Sequence, residues 1–398
     1  MTNLPQGWEV KKLEEIANIK GGKRLPKGEN LLDNNIKFAY IRVADFQDNG
    51  TINLQNIKFI NENTYNVLKN YKIYDDNLYI SIAGTIGKSG IIPKELNGAI
   101  LTENAVKLEY IQNNISNKFM YFFTLSNIFK TQIQTSTKIV AQPKLAITRL
   151  KQIQIPLPPL KEQERIVGIL DESFAKIDES IKILEQNLLN LDELMQSALQ
   201  KAFNPLKDNA KENYKLPQSW EWKSLEEISE NISAGGDKPK NCTESKTAKN
   251  QIPVYANGVN NNGLVGYTDK ATIIKPSLTI SARGTIGFVC IRKEPYFPIV
   301  RLISLIPCEN ILCLHYLYFC LNFFIAKGEG SSIPQLTIPK FKSLQIPLPP
   351  LKEQEQIAEH LDFVFEKAKA LKELYTKELK DYEELKQSLL DKAFKGEL

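Results

Sequence analysis

One short sequence occurs twice in this chain almost unchanged, and this repeat constrains the fold more than any other feature. Residues 154–166 read QIPLPPLKEQERI, and residues 345–357 read QIPLPPLKEQEQI, at an offset of 191 residues. A second pair, LPQGWE at residues 4–9 and LPQSWE at residues 216–221, opens each half. The chain therefore consists of two copies of one plan, in which a variable block precedes a constant block.

The repeats divide the 398 residues into four segments, and this length suffices for more than one hydrophobic core. We predict a first variable domain at residues 1–153, a first constant region at 154–212, a second variable domain at 213–344 and a second constant region at 345–398. The polar segment Asn204–Lys215 is the predicted linker between the two halves. Strong repetition of the flanks beside divergent variable blocks indicates related tasks on different targets.

The composition, with 42% hydrophobic and 24% charged residues, is that of an ordinary soluble protein. The most apolar run, residues 311–326, contains His315 and Asn322 and is too short to span a bilayer, so it predicts a buried helix. The chain does not begin with the pattern of a signal peptide. We therefore expect a cytoplasmic protein.

All five cysteines lie in the second half, whereas a disulfide framework of a repeated domain is expected in both halves. A reducing compartment is therefore the better interpretation. The metal-capable side chains Cys308, Cys313, His315 and Cys320 follow no recognised ligand spacing. We expect buried apolar cysteines there and no metal site.

Basic residues outnumber acidic residues only in the variable blocks. Residues 1–153 hold 20 Lys and Arg against 13 Asp and Glu, and residues 213–344 hold 15 against 10. The constant blocks at 154–212 and 345–398 hold 7 against 11 and 9 against 12. A polyanion such as nucleic acid is therefore the expected partner of the variable blocks. Uneven surface charge without any partner is the simpler alternative.

Each constant block begins with an extended IPLPPL segment and continues as a long amphipathic helix. Apolar residues recur every three or four positions, which is the periodicity of a coiled coil. About 43 residues at 1.5 Å per residue give a helix of roughly 65 Å. We expect the two helices to pair antiparallel, with a variable domain at each end and a pseudo-twofold axis. The residues predicted to pair the helices or to bind a partner are Ile166, Leu170, Phe174, Leu184, Leu191, Ile357, Leu361, Phe365, Leu385 and Leu389.

The variable blocks combine strand and helix signals, so the predicted fold class is α+β, with two mixed α/β domains and two long helices. Short β-prone runs between Gly, Asn and Asp turns are the strand candidates. Residues 119–130 are the predicted helix of the first block. The strand candidates are 36–45, 77–83 and 99–108 in the first block and 252–255, 278–282, 288–291 and 299–305 in the second.

No group of residues in the sequence has the arrangement of an active site. The string GTIGKS at residues 84–89 has the wrong spacing for a phosphate-binding loop. Asn204-Pro205-Leu206 reads as a helix terminator and not as an amino-methyltransferase motif. The chain contains only two histidines, His315 and His360, so acid–base catalysis through histidine is not favoured. We therefore expect no catalytic site in this chain.

Basic loops that contain glycine are the strongest candidates for contact with DNA. KGGKRLPK at residues 20–27 and SAGGDKPK at residues 233–240 occupy matching places in the two halves. Glycine lets a backbone approach a phosphate, and Lys and Arg supply charge or donors to base edges. A shared glycine signature, SIAGTIG at 81–87 and SARGTIG at 281–287, predicts a tight turn in each block. The predicted DNA-binding residues are Lys20, Gly21, Gly22, Lys23, Arg24, Lys27, Thr85, Lys88, Gly235, Gly236, Lys238, Lys240, Arg283 and Thr285.

The Asn-rich segment Tyr255–Tyr267 is a weaker candidate for contact with bases. It reads YANGVNNNGLVGY, and its side-chain amides could pair with adenine edges. Turns that are merely solvated also favour Gly, Asn and Lys. That alternative stays open for this segment and for the basic loops.

The chain resembles the specificity (S) subunit of type I restriction–modification systems over essentially its whole length. The most specific element is IPLPPLKEQ followed by a long helix, present twice and each time preceded by a domain that begins with LPQxW. The resemblance implies that each variable block is a target recognition domain that reads one half of a bipartite, asymmetric DNA sequence. It also implies that the long helices set the half-site spacing and dock two methyltransferase (M) subunits.

The same resemblance implies a subunit without catalysis and without a cofactor of its own, because S-adenosylmethionine belongs to the methyltransferase subunit. The expected partners are double-stranded DNA, two M subunits and, in systems that cleave, restriction (R) subunits, but no membrane. Two other classes stay open: an enzyme of a type that the sequence does not reveal, and a coiled-coil adaptor that binds proteins without recognising DNA. Binding to duplex DNA that weakens as salt rises distinguishes an S subunit from the adaptor.

Overall fold

The computed structural model describes residues 4–33, 37–136, 144–203, 217–325, 328–329 and 336–398. The chain forms two compact units, the first from residues 1–184 and 376–398 and the second from residues 185–375. The predicted linker Asn204–Lys215 lies outside the described residues. No helix within these ranges has the length and apolar character needed to cross a membrane.

The first unit combines an antiparallel sheet of order β2-β9-β6-β7 with a sheet of order β4-β3-β8-β5, in which β3 and β8 run parallel. Its strands are β1 (Glu9–Lys12), β2 (Ala17–Gly21), β3 (Ala39–Ile41), β4 (Lys58–Phe59), β5 (Lys72–Ile73), β6 (Leu78–Ser81), β7 (Ser89–Ile91), β8 (Ala99–Leu101), β9 (Ala105–Tyr110) and β10 (Gln154–Leu157). Its helices are α1 (Leu13–Ile16), α2 (Glu62–Val67), α3 (Asn117–Leu125), α4 (Asn127–Ser136) and α5 (Ile147–Lys151), followed by the long α6 (Leu160–Phe203), whose last part lies in the second unit.

The second unit repeats this plan with a sheet of order β12-β19-β15-β17 and a sheet of order β14-β13-β18, in which β13 and β18 run parallel. Its strands are β11 (Glu221–Ser224), β12 (Ser229–Ala234), β13 (Ile252–Tyr255), β14 (Leu264–Thr268), β15 (Ser277–Ile280), β16 (Thr285–Ile286), β17 (Val289–Arg292), β18 (Phe297–Pro298), β19 (Ile303–Pro307), β20 (Gly328–Glu329) and β21 (Gln345–Leu348). Its helices are α7 (Leu225–Ile228), α8 (Leu314–Phe324) and α9 (Ile338–Lys342), followed by α10 (Leu351–Ala393), whose last part lies in the first unit.

The two repeated sequences pair with each other in each unit. In the first unit the strand after LPQGW runs antiparallel to QIPL, with Glu9 opposite Leu157 and Lys12 opposite Gln154. In the second unit Glu221 lies opposite Leu348 by the same register. Proline is tolerated in QIPL because a two-stranded sheet leaves one edge of each strand without a ladder. The repeated sequences therefore close each domain at the start of a long helix.

The glutamine of the repeated KEQ sequence has the same structural role in both units. The side chain of Gln163 is buried, and its Nε2 donates to the carbonyl oxygens of Pro158 and Asn114 at 2.9 and 3.1 Å. Gln354 is buried in the second unit and donates to Pro349 and Ile311 at 2.8 and 2.9 Å. Each glutamine therefore fixes the first turn of a long helix to the loop that precedes α3 or α8.

Each unit completes its core with the end of the helix that belongs to the other repeat. In the first unit the ring of Phe394 lies 5.1 Å from that of Phe119 and 5.5 Å from that of Phe123. In the second unit Phe203 lies 5.4 Å from Phe323. These contacts bury the phenylalanine of the KAF sequence near the end of each repeat. Contacts thus divide each long helix between the two units, whereas the repeats in the sequence assign each helix to one constant region.

The long helices run antiparallel, as predicted. In the first unit Arg165 of α6 donates to the carbonyl oxygen of Leu398, and Asp178 forms an ion pair with Lys386 of α10. In the second unit Asp192 forms an ion pair with Lys372. Residues further along α6 therefore meet residues nearer the start of α10. Each unit buries apolar side chains between the helices and the domain, which confirms the predicted α+β class.

The residues predicted to pair the helices or to bind a partner differ in burial. On α6, Ile166, Leu170, Leu184 and Leu191 are buried and Phe174 is partly buried. On α10, Leu361 is buried and Ile357, Phe365 and Leu389 are partly buried, but Leu385 is 45% exposed. Leu390 is the buried leucine of the last turns. Leu385 precedes Leu390 by five residues, which is not a whole number of turns at 3.6 residues per turn, so the two leucines lie on different faces of α10.

Two predicted elements are each divided in the structure. The predicted strand 99–108 is β8 and β9, because the chain leaves one sheet after Leu101 and enters the other at Ala105. The predicted helix 119–130 is α3 and α4, because Ser126 donates its hydroxyl to the carbonyl of Phe123 and accepts the N–H of Phe129. A serine that satisfies both helix ends favours a break over a continuous helix.

Candidate nucleic-acid interface

The Gly-Gly loops lie against the connection between the two sheets of each unit. Gly22 donates its N–H to the carbonyl of Ala105, and a Cβ on Gly22 would lie 2.1 Å from the oxygen of Thr102. In the second unit Gly235 donates to Leu302, and its Cβ would lie 2.6 Å from the nitrogen of Ile299. Both glycines are therefore required by close approach to the protein's own backbone. Gly236 has open space around its Cβ position.

The glycine signatures form tight turns, as predicted. Gly84 has a φ of 77° and Gly284 a φ of 70°, and space around both Cβ positions is open. In each turn the glycine that ends the signature donates its N–H to the carbonyl of the first serine, at 2.9 Å for Gly87 and 3.0 Å for Gly287. Positive φ is accessible to glycine without steric cost, which explains the repeated residues.

Hydrogen bonds bring the predicted loops together in each unit. In the first unit the N–H groups of Ile82 and Ala83 donate to the carbonyl of Asn104, at 2.8 and 3.3 Å. Asn104 belongs to the connection against which Gly22 lies, so the glycine turn, the Gly-Gly loop and the connection share one surface. We call this the first loop cluster, formed by residues 20–24, 82–88 and 102–104.

The second unit forms the same cluster with one more participant. Asn257, from the Asn-rich segment, accepts the N–H of Ala282 at 2.8 Å and donates Nδ2 to the carbonyl of Val300 at 2.6 Å. Val300 and Arg301 in turn donate their N–H groups to Gly236 and Gly235, both at 2.8 Å. The second loop cluster therefore consists of residues 235–238, 257–258, 281–287 and 300–301.

Three of the predicted cations of the first unit form ion pairs. Lys20 lies 2.5 Å from Glu109, Arg24 lies 2.7 Å from Glu103 and Lys88 lies 2.8 Å from Asp48. Burial raises the pKa of the Glu103 carboxyl, but hydrogen bonds from Arg24 and Thr102 outweigh it and hold the pKa below its usual value. One partner in each pair of Arg24 and Lys88 is almost fully exposed, so these two ion pairs contribute little to stability and a phosphate can replace the carboxylate at small cost.

The remaining predicted cations are more accessible. Lys23 and Lys27 are exposed in the first unit, and Lys238 and Lys240 in the second. Within the ranges that the structure describes, no carboxylate lies within ion-pair distance of these four amines. Lys23 lies over the ring of Tyr71 at 5.9 Å. These side chains are available to neutralise phosphates.

The residues of the two glycine turns differ in accessibility. Thr85 and Arg283 are exposed, whereas Lys88 is only partly exposed beside Asp48. The hydroxyl of Thr285 is buried and has no hydrogen-bond partner among the described residues. Contact of Thr285 with DNA through its hydroxyl would therefore require the turn to move, while Arg283 and Thr85 need no such change.

The Asn-rich segment is a hairpin between β13 and β14. Asn261 and Asn262 adopt left-handed φ angles of 49° and 53° at its tip, and both are exposed. Arg292 is buried beneath the tip, donates to the carbonyl of Asn262 at 2.5 Å and lies 3.6 Å above the ring of Tyr255. The tip therefore rests on a fixed base and exposes its amides.

The cysteines and histidines of the second unit do not form a metal site in the part of the chain that the structure describes. Cys320 is buried in the hydrophobic core, and burial raises the pKa of its thiol well above the usual value. His315 faces Asp362 across 2.6 Å. The structure therefore places these side chains in packing and in one polar pair.

Val300 and Arg301 were not among the predicted DNA-binding residues. The sequence between β18 and β19 reads as a continuous strand, because valine and isoleucine favour strands and no glycine marks the turn. Apart from a single arginine in an apolar run, the sequence carries no signal for a turn at this position.

A family model, described as the type I restriction modification DNA specificity domain, matches residues 5–189 and 217–380. The chain belongs to this family of type I restriction–modification DNA specificity proteins. This confirms the resemblance drawn from the repeated IPLPPLKEQ sequence and the prediction of a DNA sequence-recognition subunit.

Curated relatives with the same description come from distant organisms. A putative type I specificity subunit of Mycoplasma pneumoniae is 29% identical over 357 residues, which cover 88% of this chain and 87% of the relative. The EcoBI specificity subunit of Escherichia coli is 30% identical over 205 residues, which cover 50% of this chain and 42% of the relative. The putative MjaX specificity subunit of Methanocaldococcus jannaschii is 24% identical, with 99% and 94% covered.

Solved structures share the fold over the whole chain. A chain from a structure of a type I restriction–modification system has a TM-score of 0.82 at 20% identity, with all of both chains covered. The HsdS subunit from Thermoanaerobacter tengcongensis has a TM-score of 0.63 at 21% identity, with 100% of this chain and 98% of that chain covered. At these identities the likeness concerns the fold alone.

Proposed function

We propose that each unit reads one half of a bipartite, asymmetric DNA target through its loop cluster. The observation that carries the proposal is the convergence of the Gly-Gly loop, the glycine turn and the connection between sheets in both units. The scaffold is repeated, but the exposed side chains on it differ, with Arg24 in the first unit and Arg283 and Arg301 in the second. Equal scaffolds with different side chains suit two different half-sites.

We assign the exposed cations to phosphates or to bases by their side-chain type and their position on the loops. Lys23, Lys27, Lys238 and Lys240 contact phosphates, because they are exposed and lie on loops. The arginines on the turns read base edges, for which the planar guanidinium is suited. Affinity for duplex DNA then falls steeply as salt rises, since each neutralised phosphate releases counterions.

We also propose that the long helices dock two methyltransferase subunits. Ile183 of α6 and Leu374 of α10 hold the same position in the two repeats and are 54% and 55% exposed. Leu194 and Leu385 are a second such pair, at 52% and 45%. On each helix the two residues are eleven positions apart, which is about three turns and therefore one face. A repeated apolar face fits two copies of one partner.

The proposed partners complete the activity. Each methyltransferase subunit carries S-adenosylmethionine and performs methylation, a restriction subunit joins in systems that cleave, and this chain contributes recognition without catalysis or a cofactor. Because chromosomal and incoming DNA lie in the cytoplasm of a bacterial or archaeal cell, we propose that the protein acts there.

Methylation mapping tests the recognition proposal. The chain is co-expressed with its methyltransferase subunit, and methylated sites are read across the genome. Exchange of residues 213–344 for the corresponding block of a relative should change one half-site and preserve the other. A change in both half-sites contradicts independent reading. A purified chain that shows no salt-dependent binding to duplex DNA would favour the adaptor.

Charge introduced on the apolar faces tests the docking proposal. Ile183→Glu and Leu374→Glu should each reduce the stoichiometry of methyltransferase subunits from two to one, and the double variant should abolish assembly. Native mass spectrometry of the complex measures this. Gln196→Glu is the matched control, because Gln196 is exposed on α6 on a different side from Ile183 and Leu194. Full assembly of the double variant would place docking elsewhere.

A further inference from the structure

The connection between β18 and β19 has an unusual backbone. Val300 and Arg301 adopt φ angles of 54° and 59°, which lie in the left-handed region. Residues other than glycine, and β-branched residues above all, rarely adopt this conformation. In the first unit the corresponding connection, residues 102–104, contains no positive φ. The strained turn is therefore a property of the second loop cluster.

The backbone of the Gly-Gly loop and the side-chain amide of Asn257 hold the backbone of this turn in place. The N–H groups of Val300 and Arg301 donate to Gly236 and Gly235, and the carbonyl of Val300 accepts Nδ2 of Asn257 at 2.6 Å. Gly235 packs so closely beneath the turn that a Cβ there would lie 2.6 Å from the nitrogen of Ile299. Strained conformations persist where neighbouring contacts over-determine them, and they concentrate at functional sites.

The turn presents an apolar side chain beside a free guanidinium. Val300 is 51% exposed and Arg301 is exposed. The guanidinium of Arg301 makes no hydrogen bond or ion pair with any residue in the described ranges, whereas Arg24 in the first loop cluster is paired with Glu103. Among the residues that the structure describes, Arg301 therefore has no partner that would account for its presence.

We propose that Val300 and Arg301 together form a base-reading element of the second unit that recognises a guanine beside a thymine, a proposal that rests on the proposed function. Arg301 donates two hydrogen bonds to O6 and N7 of a guanine in the major groove, and Val300 contacts the methyl group of a neighbouring thymine. A phosphate contact requires neither a fixed direction nor an adjacent apolar group, and Lys238 and Lys240 already supply exposed cations on the Gly-Gly loop of the same unit. The rigid backbone fixes the direction that a bidentate contact to a base requires.

Three variants test the proposal in the full chain with its methyltransferase subunit. Arg301→Ala should lower discrimination at one guanine of the second half-site by about 5- to 150-fold, the range for loss of a bidentate base contact. Arg301→Lys keeps the charge but not the planar fork, so it should lose the same discrimination. Val300→Gly relieves the backbone strain, and it should keep or raise thermal stability while discrimination at the adjacent base pair falls. Lys369→Ala on α10 removes one exposed cation of the same unit and should leave the target unchanged.

The readout is binding to DNAs with every single substitution in both half-sites, at several salt concentrations. Loss confined to one or two positions of the second half-site, with an unchanged dependence on salt, supports the proposal. Uniform weakening that Arg301→Lys restores, with a smaller dependence on salt, overturns it in favour of a phosphate contact. Unchanged discrimination, or a change in the first half-site, also overturns it. Failure of the proposed function can be distinguished from failure of this proposal, because the wild-type complex would then recognise no bipartite sequence at all.

Discussion

Gln354 accepts a hydrogen bond of 2.8 Å from the backbone N–H of Cys313, at the N-terminus of α8. Gln163 accepts the same bond, also of 2.8 Å, from Ser116 at the N-terminus of α3. Both amides also donate to two backbone carbonyls. The KEQ motif is therefore a structural joint between each long helix and the apolar helix of its domain, independent of DNA contact.

Removal of this joint should destabilise the second unit. Gln354→Leu leaves the N–H of Cys313 and two carbonyls without partners, which we expect to cost about 2–4 kcal/mol of unfolding free energy. Gln356→Leu is the matched control, because Gln356 is exposed two residues further along the same helix. Urea unfolding followed by circular dichroism measures both. Equal stability of the two variants would contradict the role of Gln354.

A second prediction concerns the core of each unit, which is completed by residues at the end of the other repeat's long helix. Phe394→Ala removes a buried ring from the core of the first unit, and we expect a cost of about 3–5 kcal/mol. Phe363→Ala, on the exposed side of α10, the helix that Phe394 follows, should change the unfolding free energy by less than about 0.5 kcal/mol. Hydrogen exchange should show the loss of protection from Phe394→Ala in α3, within the first unit. Loss in α8 instead would contradict the assignment of Phe394 to the first core.

The dependence of folding stability on pH in the acid range should depend on Glu109. Burial raises the pKa of this carboxyl, but hydrogen bonds and charges of Lys107 and Lys20 outweigh burial and hold the pKa below 4.5. A lowered folded-state pKa stabilises the fold above the unfolded pKa, and this contribution is lost as pH falls through the folded value. Glu109→Gln should therefore be less stable than wild type at pH 7, by about 1–2 kcal/mol. The difference measured by thermal unfolding should shrink below pH 4.5, and a constant difference would exclude the ion pair as its cause.

The two Gly-Gly loops contain one glycine that is packed tightly against backbone, Gly22, and one that has open space around its Cβ position, Gly236. Gly22→Ala places a methyl group 2.1 Å from a backbone oxygen, so the loop must shift, and we expect a loss of about 2 kcal/mol or more. Gly236→Ala meets open space at a glycine without positive φ, so its unfolding free energy should change by less than about 0.5 kcal/mol. Thermal unfolding of both variants is the measurement. Tolerance of Gly22→Ala would mean that the loop is not held against the Thr102 connection.

The parts of the fold that follow from local pattern could be predicted from the sequence. The strand Ile252–Tyr255 has the predicted bounds, and the turns at Gly84 and Gly284 have the predicted geometry. The strained turn at Arg301 could not be predicted, because its conformation is imposed by Gly235 and Asn257 from distant parts of the chain. Tertiary contacts of this kind override the local strand preference of valine.

The ion pairs between the long helices allow a direct test of whether the length of these helices sets the spacing between the half-sites. Asp178 and Asp192 are fourteen residues apart on α6, and Lys372 and Lys386 are fourteen apart on α10, which is two heptads in each case. Deletion of residues 179–192 together with residues 372–385 keeps Asp178 opposite Lys386 and preserves the antiparallel register. It shortens both helices by about 21 Å. The double deletion also removes Ile183, Leu374 and Leu385 of the proposed docking faces, so the readout is binding of the purified chain to DNAs with varied spacing between the half-sites. We expect the preferred spacing to become shorter while the two half-sites stay the same. Deletion of residues 179–192 alone shifts the register and should unfold the helix pair, as measured by circular dichroism. Preference for the original spacing after the double deletion would show that the helices do not set the distance.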